Sequence, residues 1–235
     1  ISIGLVGSEM CIRDRVKDPR DIVYTPHNGG HWLITSHELA REVLSNAELF
    51  GSFPIGIPAN MEQRPRLIPL ESEAHEHRRY RRLLLPIFEP TAVARLQIGA
   101  EALAAEVLDE VLPTGEFDFL WKAAKPISLG LFVRQLGLEP ERLDEFYAWE
   151  TGFYRAPTME ERIACGEKIG VYLFEVVTQH VDNPKDDIVD MLLNVDVEGE
   201  KLSLEEVHAI CYLLFLASID TVATMLSFIL SLIHI

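Results

Sequence analysis

Cysteine is scarce in this chain. There are three, Cys11, Cys165 and Cys211, and no two stand in a CxxC spacing. That spacing excludes a recognisable zinc or iron–sulfur site. The odd, low count fits a reducing cytoplasm better than a disulfide scaffold. Basic residues are also few: 21 Lys and Arg stand against 37 Asp and Glu, for a net charge of −16. So acidic a chain repels phosphate backbones, which argues against nucleic-acid binding. No internal repeat and no low-complexity tract occurs. The opening ISIGLVGSEM has no charged n-region and too short an apolar run for a secretory signal. What is present is ordinary globular composition, 48% hydrophobic and 25% charged over 235 residues.

The two ends read differently from the rest. ISIGLVGSEMCIRDR, residues 1–15, resembles translated sequencing-adapter readthrough, and Ser231 to Ile235 looks like a scar of the same kind. Both are set aside from fold reasoning, as a tag would be. The alternative is a native N-terminal strand and a native helix end.

Between them the pattern predicts a mainly α protein with a small β-sheet. His31 to Thr35 is a strand candidate after the turn Asn28-Gly29-Gly30. Ser36 is placed to cap a helix over 37–44. Residues 51–70, with Pro54, Pro58, Pro65 and Pro69, read as a long irregular loop of the kind that often walls a pocket. Helices are expected over 71–85, 91–111, 123–136, 143–153 and 159–180. The second has Val93, Leu96, Ala100, Leu103 and Val107 on one face, and Gly115 ends that section. Glu198-Gly199-Glu200 suggests a turn between two short strands. Ser203-Leu204-Glu205-Glu206 is a capping box, and the chain from Ala209 to Leu230 is almost wholly apolar. Such a helix is either buried in a large core or spans a membrane.

Two motifs carry chemistry. In His77-Arg78-Arg79-Tyr80-Arg81-Arg82, helical spacing puts His77 and Arg81 one turn apart on one face. That pair can clamp an anionic ligand, since guanidinium grips carboxylates in a fork and imidazole adds a donor. The plain alternative is a solvated basic face answering Glu71, Glu73 and Glu76. In Ala217-Ser218-Ile219-Asp220-Thr221, small residues precede an acid–hydroxyl pair inside an apolar helix. Ser218 and Thr221 can return their hydroxyls to backbone carbonyls, and Asp220 with Thr221 could relay protons. The alternative there is a satisfied polar kink.

Three features in order, Asn28-Gly29-Gly30-His31-Trp32, His77 and Arg81 ahead of Phe88-Glu89-Pro90, and Asp220-Thr221, resemble the N-terminal half of bacterial cytochromes P450. The likeness covers about residues 20–230 and is nearest to the camphor-monooxygenase branch. It implies a cytochrome P450 fold truncated within the long distal (I) helix, with residues 16–230 as one partial domain. It implies b-type haem as cofactor, dioxygen as co-substrate, and a haem-thiolate monooxygenase acting on a small apolar, terpenoid-like molecule.

The resemblance also distributes roles. His77 and Arg81 match the residues that bind a haem propionate. Arg78, Arg79 and Arg82 would form the face where an iron–sulfur ferredoxin docks, supplied by its reductase. Asp220 and Thr221 match the acid–alcohol pair that delivers protons to bound dioxygen. Ala217 matches the small residue that leaves dioxygen room, and Leu213 and Leu216 would face substrate. The implied protein is a cytoplasmic monomer.

The departures are specific. Ser218 stands where the family usually has glycine. Pro65 stands where the camphor branch has a tyrosine donor, and Gly56 where it has a phenylalanine, so camphor is a poor expectation. An arginine of that loop, Arg64 or Arg66, could instead address a carboxylate. No ExxR helix and no FxxGxxxCxG loop occurs, and none of the three cysteines has the axial ligand's context. No metal ligand is therefore assigned; Cys211 reads as a small buried hydrophobe. The chain alone is expected to be inactive and poorly soluble. Two other classes stay open: a non-catalytic helical anion-binding protein, and a protein anchored by a C-terminal membrane helix.

Overall fold

A computed structural model describes residues 21–57, 64–197 and 199–233. The adapter-like residues 1–15, residues 58–63 of the proline-rich loop, Glu198, and the last two residues of the terminal scar lie outside these. The chain divides into two compact units, residues 1–62 and 63–235.

The first unit is a hairpin and a helix. Strand β1 (Ile22–Thr25) pairs antiparallel with β2 (His31–Ile34), Tyr24 opposite Trp32. Asn28, Gly29 and Gly30 all have positive φ, 53°, 85° and 84°. That run needs residues tolerant of left-handed backbone, which is why asparagine and glycines occupy it. The Tyr24 hydroxyl also lies where a side chain on Gly30 would stand. Helix α1 (His37–Ser45) follows, and the Ser36 hydroxyl accepts from the Leu39 amide at 3.3 Å, the cap the sequence suggested. The periodicity pointed to β2 but not to β1.

The second unit is helical. It opens with a loop organised around a buried carboxylate. Glu71 accepts two hydrogen bonds from the Arg64 guanidinium, at 2.8 and 2.6 Å, and one from the Leu67 amide at 2.8 Å. Arg66 pairs with Glu76 at 2.8 Å and donates to the Glu71 carbonyl. This corrects two expectations. Arg64 and Arg66 are committed to the loop and not offered to a ligand carboxylate. The helix begins at Ala74, not Glu71, because Glu71 is used as the loop's anion. Helix α2 runs Ala74–Leu84, and α3 runs Pro90–Val111 with proline in its first turn, where a missing amide costs nothing.

A π turn, Leu120–Ala124, leads into α4 (Lys125–Gln135), and α5 is Leu143–Arg155. Helix α6 is Met159–Asp182, started by a reciprocal capping box between Thr158 and Glu161. A short helix that sequence periodicity missed, α7 (Ile188–Asn194), is fixed by its own capping box, Asp187 with Asp190. His180 joins it through Nε2 to Asp187 Oδ2 at 2.9 Å. Two-residue strands β3 (Asp196–Val197) and β4 (Glu200–Lys201) flank the expected turn.

Helix α8 (Leu204–Ile233) is the longest element. Ser203 and Glu206 form the capping box read from the sequence, with Glu206 N to Ser203 Oγ at 3.2 Å and Ser203 N to Glu206 Oε2 at 2.8 Å. Its first half packs between α4 and α6. Phe215 meets Phe146 of α5 edge-on, centroids 5.8 Å apart, and Phe132 of α4 at 6.0 Å. At Gly166 of α6 the helices come so close that a side chain would press on Tyr212 and Phe153. The Tyr212 hydroxyl donates to the Gly166 carbonyl at 3.3 Å there. One turn on, His208 Nε2 donates to the Gly170 carbonyl at 2.8 Å. By length and composition α8 could cross a membrane. Its first half is instead core: Val207, Ile210, Tyr212, Phe215 and Ile219 are fully buried. Beyond Ala223 the helix is largely uncovered.

Candidate active site

The basic motif lies on α2 and splits by face. His77 and Arg81 are exposed one turn apart, and neither side chain has a hydrogen-bond partner among the described residues. Tyr80 and Arg79 point the other way. Both reach Glu206 at the start of α8, Tyr80 Oη donating at 2.6 Å and Arg79 at 2.8 Å. Burial and the Glu206 hydrogen bond push the Tyr80 phenol up to about 12. Burial works against ionised Glu206, but hydrogen bonds from Tyr80, Arg79 and Ser203 hold its carboxyl below the usual carboxylate range. Arg79 is thus a strut between α2 and α8. Of the three arginines expected to form an outward face, Arg78 and Arg82 are exposed and Arg79 is turned inward.

The second motif lies midway along α8. The Thr221 hydroxyl donates to the Ala217 carbonyl at 2.7 Å, and the Ser218 hydroxyl to the Leu214 carbonyl at 2.7 Å, the back-bonding expected of them. With its one hydrogen given to Ala217, Thr221 Oγ1 presents its lone pairs outward as an acceptor. Ala217 and Thr221 share one exposed face. That face continues as an apolar strip through Val222, Met225, Phe228 and Ile229, each about half exposed. Leu216 is buried at 4% exposure and Leu213 packs half-buried against the core, so Leu216 has no opening toward a ligand.

Asp220 is not the isolated buried charge that its apolar helix suggested. Its Oδ1 stands 3.6 Å from the Arg155 guanidinium at the end of α5, and both side chains reach solvent. Several residues around it gave no signal in the sequence. The Ser128 hydroxyl of α4 donates to the Ser218 carbonyl at 2.7 Å, pinning α8 just before Asp220. The Tyr154 hydroxyl reaches the Leu216 carbonyl at 3.5 Å. Lys125 and Glu150 form a buried pair nearby. They come from α4 and α5, and only folding brings them to α8.

Taken one at a time, the two sets of side chains have the chemistry that the edge and the face of a haem call for. An exposed imidazole–guanidinium pair, unpartnered among the described residues, suits a carboxylate at the rim. An apolar strip headed by an outward-facing hydroxyl acceptor suits the face of a flat apolar ring. The described cysteines do not complete the set: Cys165 packs against Gly152, and burial pushes the Cys211 thiol up to about 12, so it stays protonated. Among the described residues one other cluster, His180, Asp187 and Asp190, has metal-ligand composition. Asp187 Oδ1 caps α7 and Asp190 Oδ2 receives the amides of Lys185 and Asp186, while Asp190 Oδ1 is buried without a hydrogen-bond partner.

A long helix buried by its first half within a helical bundle defines a fold class. It is that of the cytochromes P450, over the part of the fold this chain spans. The structure called CYP101J2 superposes with a TM-score of 0.77 at 27% identity, covering 93% of this chain and 55% of that one. In sequence the chain is similar to cytochromes P450 as well. It is 27% identical over 223 residues to "Probable cytochrome P450 127A1" of Sinorhizobium fredii, 93% of this chain and 53% of that protein. It is 26% identical over 204 residues to a steroid C26-monooxygenase of Mycolicibacterium smegmatis, 82% of this chain and 48% of that protein. The chain spans about half the length of the curated relatives it matches. No family model matches it.

Proposed function

We propose that the whole protein is a haem-thiolate monooxygenase of the bacterial cytoplasm. Bound haem would supply dioxygen activation and insertion of one oxygen atom into a C–H bond, with electrons from a reduced nicotinamide through a ferredoxin. The observation that carries this reading is the Thr221 hydroxyl on α8, its hydrogen committed to Ala217 and its lone pairs outward, with Asp220 beside it.

The chain's residues divide the work. His77 and Arg81 grip a carboxylate at the haem rim and orient the ring. Thr221 Oγ1, its own hydrogen given to Ala217, would accept a hydrogen bond from a donor placed against it. Asp220, open to solvent and held by Arg155, takes up a proton from water and passes it toward Thr221. Ala217 leaves space beside them. The strip through Val222, Met225 and Phe228 excludes water. The substrate class is a small apolar molecule, a terpenoid or a steroid. The named activity of the steroid C26-monooxygenase relatives supports that class. The basic Arg78 and Arg82 suit an acidic ferredoxin, whose approach they would steer.

The test is the full-length protein reduced under carbon monoxide. A red-shifted Soret band is expected; a protein that purifies folded without haem would end the proposal. The membrane-anchor reading is disfavoured, since half of α8 is already packed inside the bundle.

A further inference from the structure

The turn between α6 and α7 gathers one imidazole and two carboxylates. His180 lies in the last turn of α6, Asp187 caps α7, and Asp190 lies in the first turn of α7. One ligand atom from each stands within 4.8 Å of the other two. The His180 and Asp187 side chains are 0% and 8% exposed, and Asp190 is buried.

Helix capping accounts for some of the oxygens and not for all. Asp187 Oδ1 receives the amides of Val189 and Asp190, and Asp190 Oδ2 those of Lys185 and Asp186. Asp190 Oδ1 is buried with no hydrogen-bond partner. A buried carboxylate oxygen left so is costly and calls for a donor or a cation. Among the described residues no lysine or arginine pairs with either carboxylate, and the Lys185 ammonium is turned to the Gly137 carbonyl at 3.1 Å.

His180 is oriented as a ligand. Its Nδ1 faces the Val176 carbonyl at 2.7 Å, and a carbonyl only accepts, so Nδ1 carries a hydrogen. Metal-bound imidazoles are held by the same kind of bond to a main-chain oxygen. Nε2 then points at Asp187 Oδ2 from 2.9 Å, and only a proton or a metal ion can join those two atoms. Two donors bound at about 2.1 Å and at right angles on one ion stand about 3 Å apart, so the gap suits a metal. A proton there would settle that pair and leave Asp190 Oδ1 with nothing. Gly137 keeps the space beside Asp187 Oδ2 clear, since a side chain on it would collide with that oxygen. Asp187 also lines an open groove with Arg134, Gln135 and Ile188, which gives an ion and its water a way in.

We propose that His180 Nε2, Asp187 Oδ2 and Asp190 Oδ1 bind a zinc ion that ties the end of α6 to the start of α7. One imidazole and two carboxylates are a donor set that zinc accepts, with water in the fourth position.

The test uses the full-length protein purified without a histidine tag, stripped with a chelator and then dialysed against zinc chloride. Metal analysis, with iron counted separately, should find a single zinc per chain. The melting temperature should be higher with zinc than after stripping. X-ray absorption at the zinc edge should show nitrogen and oxygen neighbours at about 2.0–2.2 Å. Asp190→Asn keeps an oxygen for the Lys185 and Asp186 amides and puts an NH2 group in place of Oδ1. It should weaken zinc binding by roughly 100-fold or more, as His180→Gln should, because even the outer partners of a metal site are worth about 10–100-fold. A stripped protein that takes up no zinc overturns the proposal. So does equal affinity in Asp190→Asn and wild type, and so does a sulfur neighbour at about 2.3 Å, which would put the ion on a cysteine. If neither variant folds, wild type decides alone: zinc that leaves the melting temperature unmoved, or that shows sulfur at its edge, overturns the site.

Discussion

At the scale of single residues, orientation separates neighbours that the sequence presents alike. His77 and Arg79 are two positions apart in one basic run. One faces solvent and the other holds Glu206. Replacing Arg81 by alanine in the full-length protein removes a charge-assisted hydrogen bond worth about 1.5–3 kcal/mol. Haem dissociation should speed up by roughly ten- to a hundredfold, measured by transfer to a haem scavenger; an unchanged rate would remove Arg81 from the site. Thr221→Ala should leave nicotinamide consumption running while most of the oxygen emerges as peroxide. Thr221→Ser should restore product, since the serine hydroxyl can make the same bond to Ala217. Full coupling in the alanine variant would show that the hydroxyl is dispensable.

At the scale of elements, α8 divides near Ala223. Phe215→Ala should cost about 3–5 kcal/mol, because a fully enclosed ring leaves a cavity between α4 and α5. Phe228→Ala, on the uncovered half, should stay within about 0.5 kcal/mol in the isolated chain. Urea unfolding of the two variants compares them directly. The α6–α8 contact carries a pH dependence. Burial, opposed by the Gly170 hydrogen bond, holds the His208 imidazole below its ordinary value. The unfolded chain then binds the proton that the folded chain refuses. Stability is full above about pH 6.5 and falls as pH drops through that value toward the lower folded one. The melting temperature of wild type should drop over that window more than that of His208→Gln. Parallel pH curves would assign the loss to other groups.

At the scale of the whole molecule, the exposed strip from Val222 to Ile233 is a continuous apolar surface on an otherwise acidic protein. Patches of this kind associate in water. The chain expressed alone should self-associate, and the pair Met225→Lys with Phe228→Glu should shift it toward monomer by sedimentation without lowering its melting temperature. If the doubly charged variant sediments like wild type, the strip is not the contact.

Much of this was legible from residue order. Caps at Ser36 and Ser203 use local hydrogen bonds, the long helices carry their own period, and the turn at Asn28–Gly30 needs left-handed backbone. The pairing of Thr221 and Ser218 with their own helix was legible for the same reason, since both partners lie within four residues. Helix α7 was not, because seven residues held by an Asp187–Asp190 box show too little period. The loop role of Glu71 was hidden too, because its partners, Arg64 and the Leu67 amide, bind it through a turn that no local pattern announces.

Residue order thus set where the long helices run, how they begin, and which few residues carry acid, hydroxyl and cation, because each of those depends on neighbours along the chain. Packing alone settled that Arg155 meets Asp220, that Lys125 and Glu150 are buried together, and that Arg79 turns inward. Those contacts join helices far apart in sequence, and their energies depend on distance and on the exclusion of water, neither of which exists until the chain has packed.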